Sequence, residues 1–435
     1  MTGRVADPRR RRRVLILVVG LLLTVLAGLA APSGAHPPGD TGPRDASAGT
    51  GQAQTEQTIA VDPRDPRNVL IGYISGLSVS HDGGRSWRRS SVSCAGDNNP
   101  EFDRGGTAYF ECDNNGVEVY VSTNGGDYFS GPINAVSGLD NNGDLVDRPW
   151  LVRGADGHTV VLGWESFFTN PVGWVYLKVS KNGGRTWGPA RRVDDLSADP
   201  AEQDPRQRPV VGADGTIYVA YASGHNPFPT GQTLPTSFVV ARSRDAGASW
   251  RRTVAAADIT RSSSPQEESE AISSLAADQS RRRPGHLALA WADQRDGNES
   301  RILVATSVDG GAHWSGPKDV SGAPPGSVDQ RDHPEIGFAP DGRLFVVWRD
   351  RRCCGGSWSS AYQILARAVH VGAHGVAGFG RIAEVTDGPQ QPGSSNLLDE
   401  YLGMTVGPEG LSVAWNQPKN GVATTFFRRL PLSTR

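Results

Sequence analysis

SHDGGRSW (80–87) is the stretch on which the fold turns, because it returns four times: STNGGDYF (122–129), SKNGGRTW (180–187), SRDAGASW (243–250) and SVDGGAHW (307–314). Each copy has a Ser, an Asp or Asn two residues on, Gly at one or both of the next two positions, and an aromatic residue at the eighth. That order is the chemistry of a hairpin turn. Gly adopts positive φ at no steric cost, the Ser and Asp or Asn side chains bond turn amides, and the aromatic ring plugs the space beneath. Five copies at steps of 42 to 64 residues form a repeat too long for a solenoid and suited to a four-stranded unit.

A run of β-formers precedes each copy: NVLIGYI (68–74), GTAYFE (106–111), TVVLGWE (159–165), TIYVAYA (216–222) and HLALAWA (286–292). RLFVVWR (343–349) and LSVAWNQ (411–417) match them without a matching turn, which makes seven units beginning near Thr58, Glu101, Arg148, Arg208, Ala271, His333 and Tyr401. Repeated four-stranded sheets with aromatic plugs predict an all-β protein, a β-propeller of seven blades, with six blades and an irregular insertion as the alternative. After ATTFFRRL (423–430) only five residues remain, so the last blade needs its outermost strand from elsewhere. Residues 52–57 are the expected donor, closing the ring and hiding an open sheet edge.

Composition agrees. Gly (54) and Pro (30) make up nearly a fifth of 435 residues, which argues against helical bundles, and 11 Trp are too many for disorder. Arg9 to Arg13 precede an apolar run from Val14 to Ala30 and small residues at 33–35, so residues 1–35 read as a signal peptide or, uncleaved, as a membrane anchor. Residues 36–57 are small, polar and Pro-rich and read as a flexible linker, with the propeller spanning 58–432. Setting aside the six Arg and one Asp of residues 1–35 moves the formal charge from −2 to −7. An acidic body makes nucleic acid and anionic membranes poor partners. Export to an oxidising compartment, secreted or at the cell surface, favours pairing of the four cysteines; three connectivities exist, and Cys94 with Cys112 plus adjacent Cys353 with Cys354 is the preferred one. No cofactor motif is present and no metal is expected: Asp140, Asn142 and Asp144 alternate like calcium-loop ligands but lack the later Gly and bidentate Glu.

The five turns resemble the Asp-boxes of the sialidase superfamily, and the resemblance runs from Thr58 to Leu432. LALAWADQRDGNESRILVATSVDGGAHW (287–314) resembles a sialidase blade that passes from Ala-Asp-x-Arg into an Asp-box, and DEYLGMTVGPEGLSVAWNQ (399–417) is similar to the last blade of exported sialidase-like proteins. The resemblance implies an exo-α-sialidase acting on terminal acidic sugars or, alternatively, a non-catalytic propeller that holds a glycan or protein, since a fold carries no chemistry with it. A glycan is the expected partner and a monomer the expected state.

Propeller geometry gathers on one face the residues that precede an innermost strand or follow a second strand: Arg148, Arg208, Glu270, His333 and Tyr401, with Glu165, Asp293, Arg295, Asp350 and Arg351. Sialidase chemistry needs Arg forks on the substrate carboxylate, a neutral Tyr nucleophile activated by a carboxylate, and an acid for the leaving oxygen. The resemblance assigns these to Tyr401, Glu270 and Asp293 (or Asp296), with Arg148, Arg208, Arg295 and Arg351 binding substrate. Two departures stand out. Where sialidases have Arg-Ile-Pro this chain has Arg148-Pro149-Trp150, and a one-residue slip in a strand turns side chains to the opposite face. In the fifth unit the equivalent position is Ala271.

Overall fold

The computed structural model describes residues 39–432 apart from 52, 95, 115, 138–144, 168–173, 196–205, 224–235, 261–272, 281, 296, 298, 325 and 392–400. Seven antiparallel four-stranded sheets form the blades of a propeller. Their innermost strands are Thr58–Val61, Asn98–Phe102, Leu145–Arg153, Arg208–Val211, Ser273–Ala277, Arg331–Phe338 and Gly403–Gly407, and each neighbours the next around the ring. The seven units read from the sequence are these seven blades, with starts displaced by up to three residues. No helix among the described residues is long and apolar enough to cross a membrane.

The core is divided among the blade interfaces. Seven separate clusters of buried side chains each join two neighbouring sheets, for example Val161, Leu177, Val219 and Val239 between blades 3 and 4. In the five repeated turns the aromatic residue joins the core shared with the preceding blade: Trp87 lies edge-on to Phe427 of blade 7 at 5.3 Å, and Phe129 belongs to the cluster that holds Leu70, Leu77 and Val79 of blade 1. Burial of such a ring is worth about 1.5–3 kcal/mol. The turn itself is tied down by the Ser hydroxyl, which accepts from the amide of the second Gly position at 2.8–2.9 Å in all five copies.

The fourth turn has Ala246, at φ +58, where the others place a Gly. Left-handed backbone costs a residue with a Cβ about 1–2 kcal/mol, partly offset here by the lower unfolded-chain entropy of Ala. Ala246→Gly is therefore expected to stabilise the protein by about 0.5–1 kcal/mol, read as a higher denaturant midpoint; an unchanged or lower midpoint would contradict it.

Ring closure differs from the expectation. The outermost strand of blade 7 is Arg44–Asp45, paired with Phe427 and Phe426 of strand Val422–Leu430, not residues 52–57. Four strands at roughly 4.8 Å spacing set the outer edge of one blade well away from the inner strand of the next. Residues ending at Gln57 adjoin Thr58, the inner strand of blade 1, and so lie at the wrong radius. They form the crossing between the two: the Gln54 amide donates to Ala423 O (3.0 Å) and Gln57 Nε2 to Thr425 Oγ1 (3.2 Å). The described part of the expected linker is thus bonded to blade 7, and Arg428 grips it through Asp40 with two contacts of 2.8 and 2.9 Å. Residues 1–35 lie outside the described residues. Both expected disulfides are present, Cys94–Cys112 and Cys353–Cys354.

Candidate functional site

Four innermost strands carry a residue followed by Pro within their first five positions: Asn99-Pro100, Arg148-Pro149, Arg208-Pro209 and His333-Pro334. An innermost strand has one free edge facing the axis, so a missing amide is tolerated there. At Arg148 and His333 the backbone has φ +46 and +49, and the register slips between Asp147 and Trp150 and between Asp332 and Glu335. These are bulges, and a bulge re-aims a side chain. The early Pro of Arg148-Pro149 is absorbed in this way: Arg148 lines an axial cavity together with Arg208 and Tyr401.

That cavity measures only about 10 Å³. The Tyr401 hydroxyl donates to Asp97 Oδ2 at 3.1 Å. Burial, then the Asp97 carboxylate, push this hydroxyl well above its ordinary value, with Arg148 opposing. The Arg208 guanidinium lies 3.7 Å over the Trp150 ring and 5.6 Å from that of Tyr401, and donates to Glu335 Oε1 at 3.0 Å. Glu335 also accepts from Ser274 Oγ at 2.7 Å; burial raises its carboxyl and Arg208 opposes the rise. Arg148 contacts Asp147 at 2.9 Å and Glu165 at 3.7 Å, and Glu165 accepts the Gln207 amide at 3.1 Å. Asp113, close enough to Asp97 and Asp147 to feel both charges, is raised to about 7, mainly by burial.

The other expected residues stand elsewhere. Asp293 accepts from Trp291 Nε1 (2.9 Å) and from Arg295 (2.6 Å), and blade 6 repeats this clip with Asp350, Trp348 (2.9 Å) and Arg352 (2.5 Å). The duplication marks a tie between the second strand and the connection after it. Arg351, 1% exposed, joins a buried cluster in which Asp332 meets Arg349 (3.0 Å), Arg351 (3.1 Å) and His333 (3.3 Å). Burial works against the Asp332 charge, but the two guanidiniums hold its carboxyl far below the usual range, while burial and Arg349 lower the His333 imidazole to about 4. So Tyr401, Arg148 and Arg208 come together, and Asp293, Arg295 and Arg351 do not line their cavity. Glu270, Asp296, Ala271 and the 140–144 segment lie outside the described residues. Among the described residues no group of three or more His, Cys, Asp or Glu is placed to hold a metal.

Sequence reasoning missed Asp97, Trp150, Glu335 and Asp332. One signal was available: an acid before x-Pro at the start of a strand recurs as Asp147-Arg148-Pro149 and Asp332-His333-Pro334. Asp97 had none, since its partner Tyr401 is 304 residues away.

No protein-family model matches the chain, and no curated protein matches it. Among solved structures it is similar to a protein of unknown function from Dyadobacter fermentans DSM 18053, at 14% identity and TM-score 0.50, over 91% of this chain and 100% of that one. Two enzymes overlap less well. A GH74 xyloglucanase from Xanthomonas campestris has 15% identity and TM-score 0.47, over 82% of this chain and 50% of its own, so this chain spans half its length. NanB sialidase from Streptococcus pneumoniae has 12% identity and TM-score 0.43, over 89% and 70%. At such identities the likeness is one of fold. The sheet order itself defines the class: a seven-bladed β-propeller.

Proposed function

We propose that this protein is an exported, glycan-holding propeller that binds sugar on the face where the innermost strands begin, without hydrolysing it. The observation that carries this reading is that the groups suited to sialidase chemistry are committed to one another. Tyr401 bonds Asp97, Arg208 bonds Glu335, and both line a space too small for a sugar ring. The same face carries part-exposed indoles backed by guanidinium groups: Trp358 under Arg351 at 4.9 Å and Trp174 under Arg192 at 4.8 Å. Such plates suit the C–H face of a pyranose, and the part-exposed Arg192 offers donors to its hydroxyls at the rim of the Trp174 plate. The disulfides support an oxidising compartment.

A second reading, hydrolysis of sialosides, is favoured by one feature: Tyr401 is paired with a carboxylate, as a Tyr nucleophile requires. The two separate cleanly. The protein is expected to retain ligands on a glycan array, to lose at least tenfold in affinity in Trp358→Ala, and to release no fluorophore from a 4-methylumbelliferyl sialoside. Release that disappears in Tyr401→Phe would establish the second reading, and no retained glycan would remove the first.

A further inference from the structure

On the blade 2 and blade 3 side of the candidate site, acids gather without a matching cation. Asp97 and Asp113 are neighbours, the Asp113 amide donating to Asp97 O at 2.9 Å, and both are part-exposed. Asp147, its side chain 35% exposed, lies near enough to act on Asp113. The adjoining Arg148 is already shared between Asp147 and Glu165. Beneath the three acids is Glu111, 0% exposed, with neither side-chain oxygen hydrogen-bonded. Alternate residues of a strand point to one side, so Glu111 and Asp113 share a face.

The fold does not call for Glu111. In the register of the second strands it stands where the other blades place Gly72, Gly163, Ala220, Ala290, Val347 and Ala414. At Gly72 and Gly163 a Cβ would meet the start of the next blade's inner strand, at Asn98 and at Gln207, so Glu111 is aimed at the matching stretch of blade 3. A carboxylate buried without a partner is costly to ionise. Burial, then Asp97 and Asp113, push this carboxyl well above its ordinary value, and the nearby Asn99 amide eases the rise without reaching bonding geometry. The acids are not placed to close on a metal ion. An organic ammonium, with three donors and no fixed coordination shell, suits them better.

Trp174 stands at the same end of blade 3. Asp147 pairs with Glu165 and Ser166 with Trp174, which sets the indole two strands from the acids, about 10 Å away. That is within reach of a short oligosaccharide.

We propose that the sugar held at this face is a hexosamine oligomer with free ammonium groups, one ring lying on Trp174 and a neighbouring ring placing its ammonium among Asp97, Asp113 and Asp147. This rests on the glycan reading and reverses the acidic sugar that the sialidase resemblance implies. A ligand cation there favours ionised Asp113, so binding releases a proton below about pH 7. The ionisable groups around Asp113 are Asp97 and Glu111 of blade 2, Asp147 and Arg148 of blade 3 and Tyr401 of blade 7.

The β1,4-linked glucosamine trimer, titrated calorimetrically into the full chain at about pH 6, is expected to bind with a stoichiometry of one and at least tenfold more tightly than its triacetylated form. Its binding enthalpy should vary with the ionisation enthalpy of the buffer, as proton release requires. Asp113→Asn is expected to weaken the free-amine trimer at least fivefold and to remove the buffer dependence, whereas Glu384→Gln, exposed on blade 6, changes neither. The comparison of the two trimers needs no variant, so it decides even if Asp113→Asn fails to fold. Equal affinities, no binding of either trimer, or a folded Asp113→Asn that binds as the parent does overturns the inference. Trp358-dependent retention of another glycan on the array would then leave the glycan reading standing, and its absence would remove both.

Discussion

Arg428→Met is expected to cost about 3–5 kcal/mol of stability, because it leaves Asp40 buried without its cation. Asp40 has a side chain 3% exposed, and Arg428 holds both of its oxygens while also contacting Asp387 and Val385 O at 2.8 Å. The ring-closing strand is two residues long, so its own ladder holds it weakly. The fork fixes the register in its place. Without it the strand Val422–Leu430 presents an unpaired edge, a template for pairing with other chains. The urea midpoint should fall and larger species should appear on size exclusion. Asp40→Leu combined with Arg428→Met should recover most of the loss, since an apolar pair leaves no stranded charge. A single-variant loss below about 1 kcal/mol, the level of a surface pair, would show that the fork does not carry the closure.

The second large effect concerns acid. His333 is 2% exposed and its imidazole, lowered to about 4, faces Asp332, Arg349 and Arg351. The unfolded chain takes up this proton near pH 6.5 and the folded one near 4, so between those values the unfolded state binds more protons. Stability therefore falls as pH drops from about 6.5 to 4, by roughly 3 kcal/mol from this group. Asp332 adds its own loss only below the unfolded carboxylate value near 4. Asp113, raised to about 7, runs the other way: the stability it lends is complete below about 4 and lost as pH rises to 7. Comparison with His333→Asn isolates the imidazole, because Asn tolerates the φ of +49 found there. The stability of the variant should decline less steeply from pH 6.5 to 4.5. Parallel curves would mean that the folded state already accepts the proton.

The fold was legible because its units repeat. Five turns and seven second strands each carry a local pattern, and the ring follows from counting them. Arg44–Asp45 was not legible, since two residues carry no periodicity and the selecting contact, Asp40 with Arg428, joins opposite ends of the chain. For the site, a residue's place at the head of a strand was readable but its partner was not. Arg208 was expected on the axis and is there; that it lies on Trp150 and bonds Glu335, 127 residues further on, is a product of the closed ring. Asp293 and Arg295 had the right types for an acid and a clamp. Their recurrence as Asp350 and Arg352 carried the structural signal.

Closure by residues 44 and 45 also orders events in time. A polypeptide emerging from its amino end exposes that pair before any blade, yet the segment it must clasp, 422–430, appears only after six blades have been made. Six sheets can assemble in succession while the earliest residues wait, and a protease that trims them during the delay would leave a molecule complete in every blade but unable to lock.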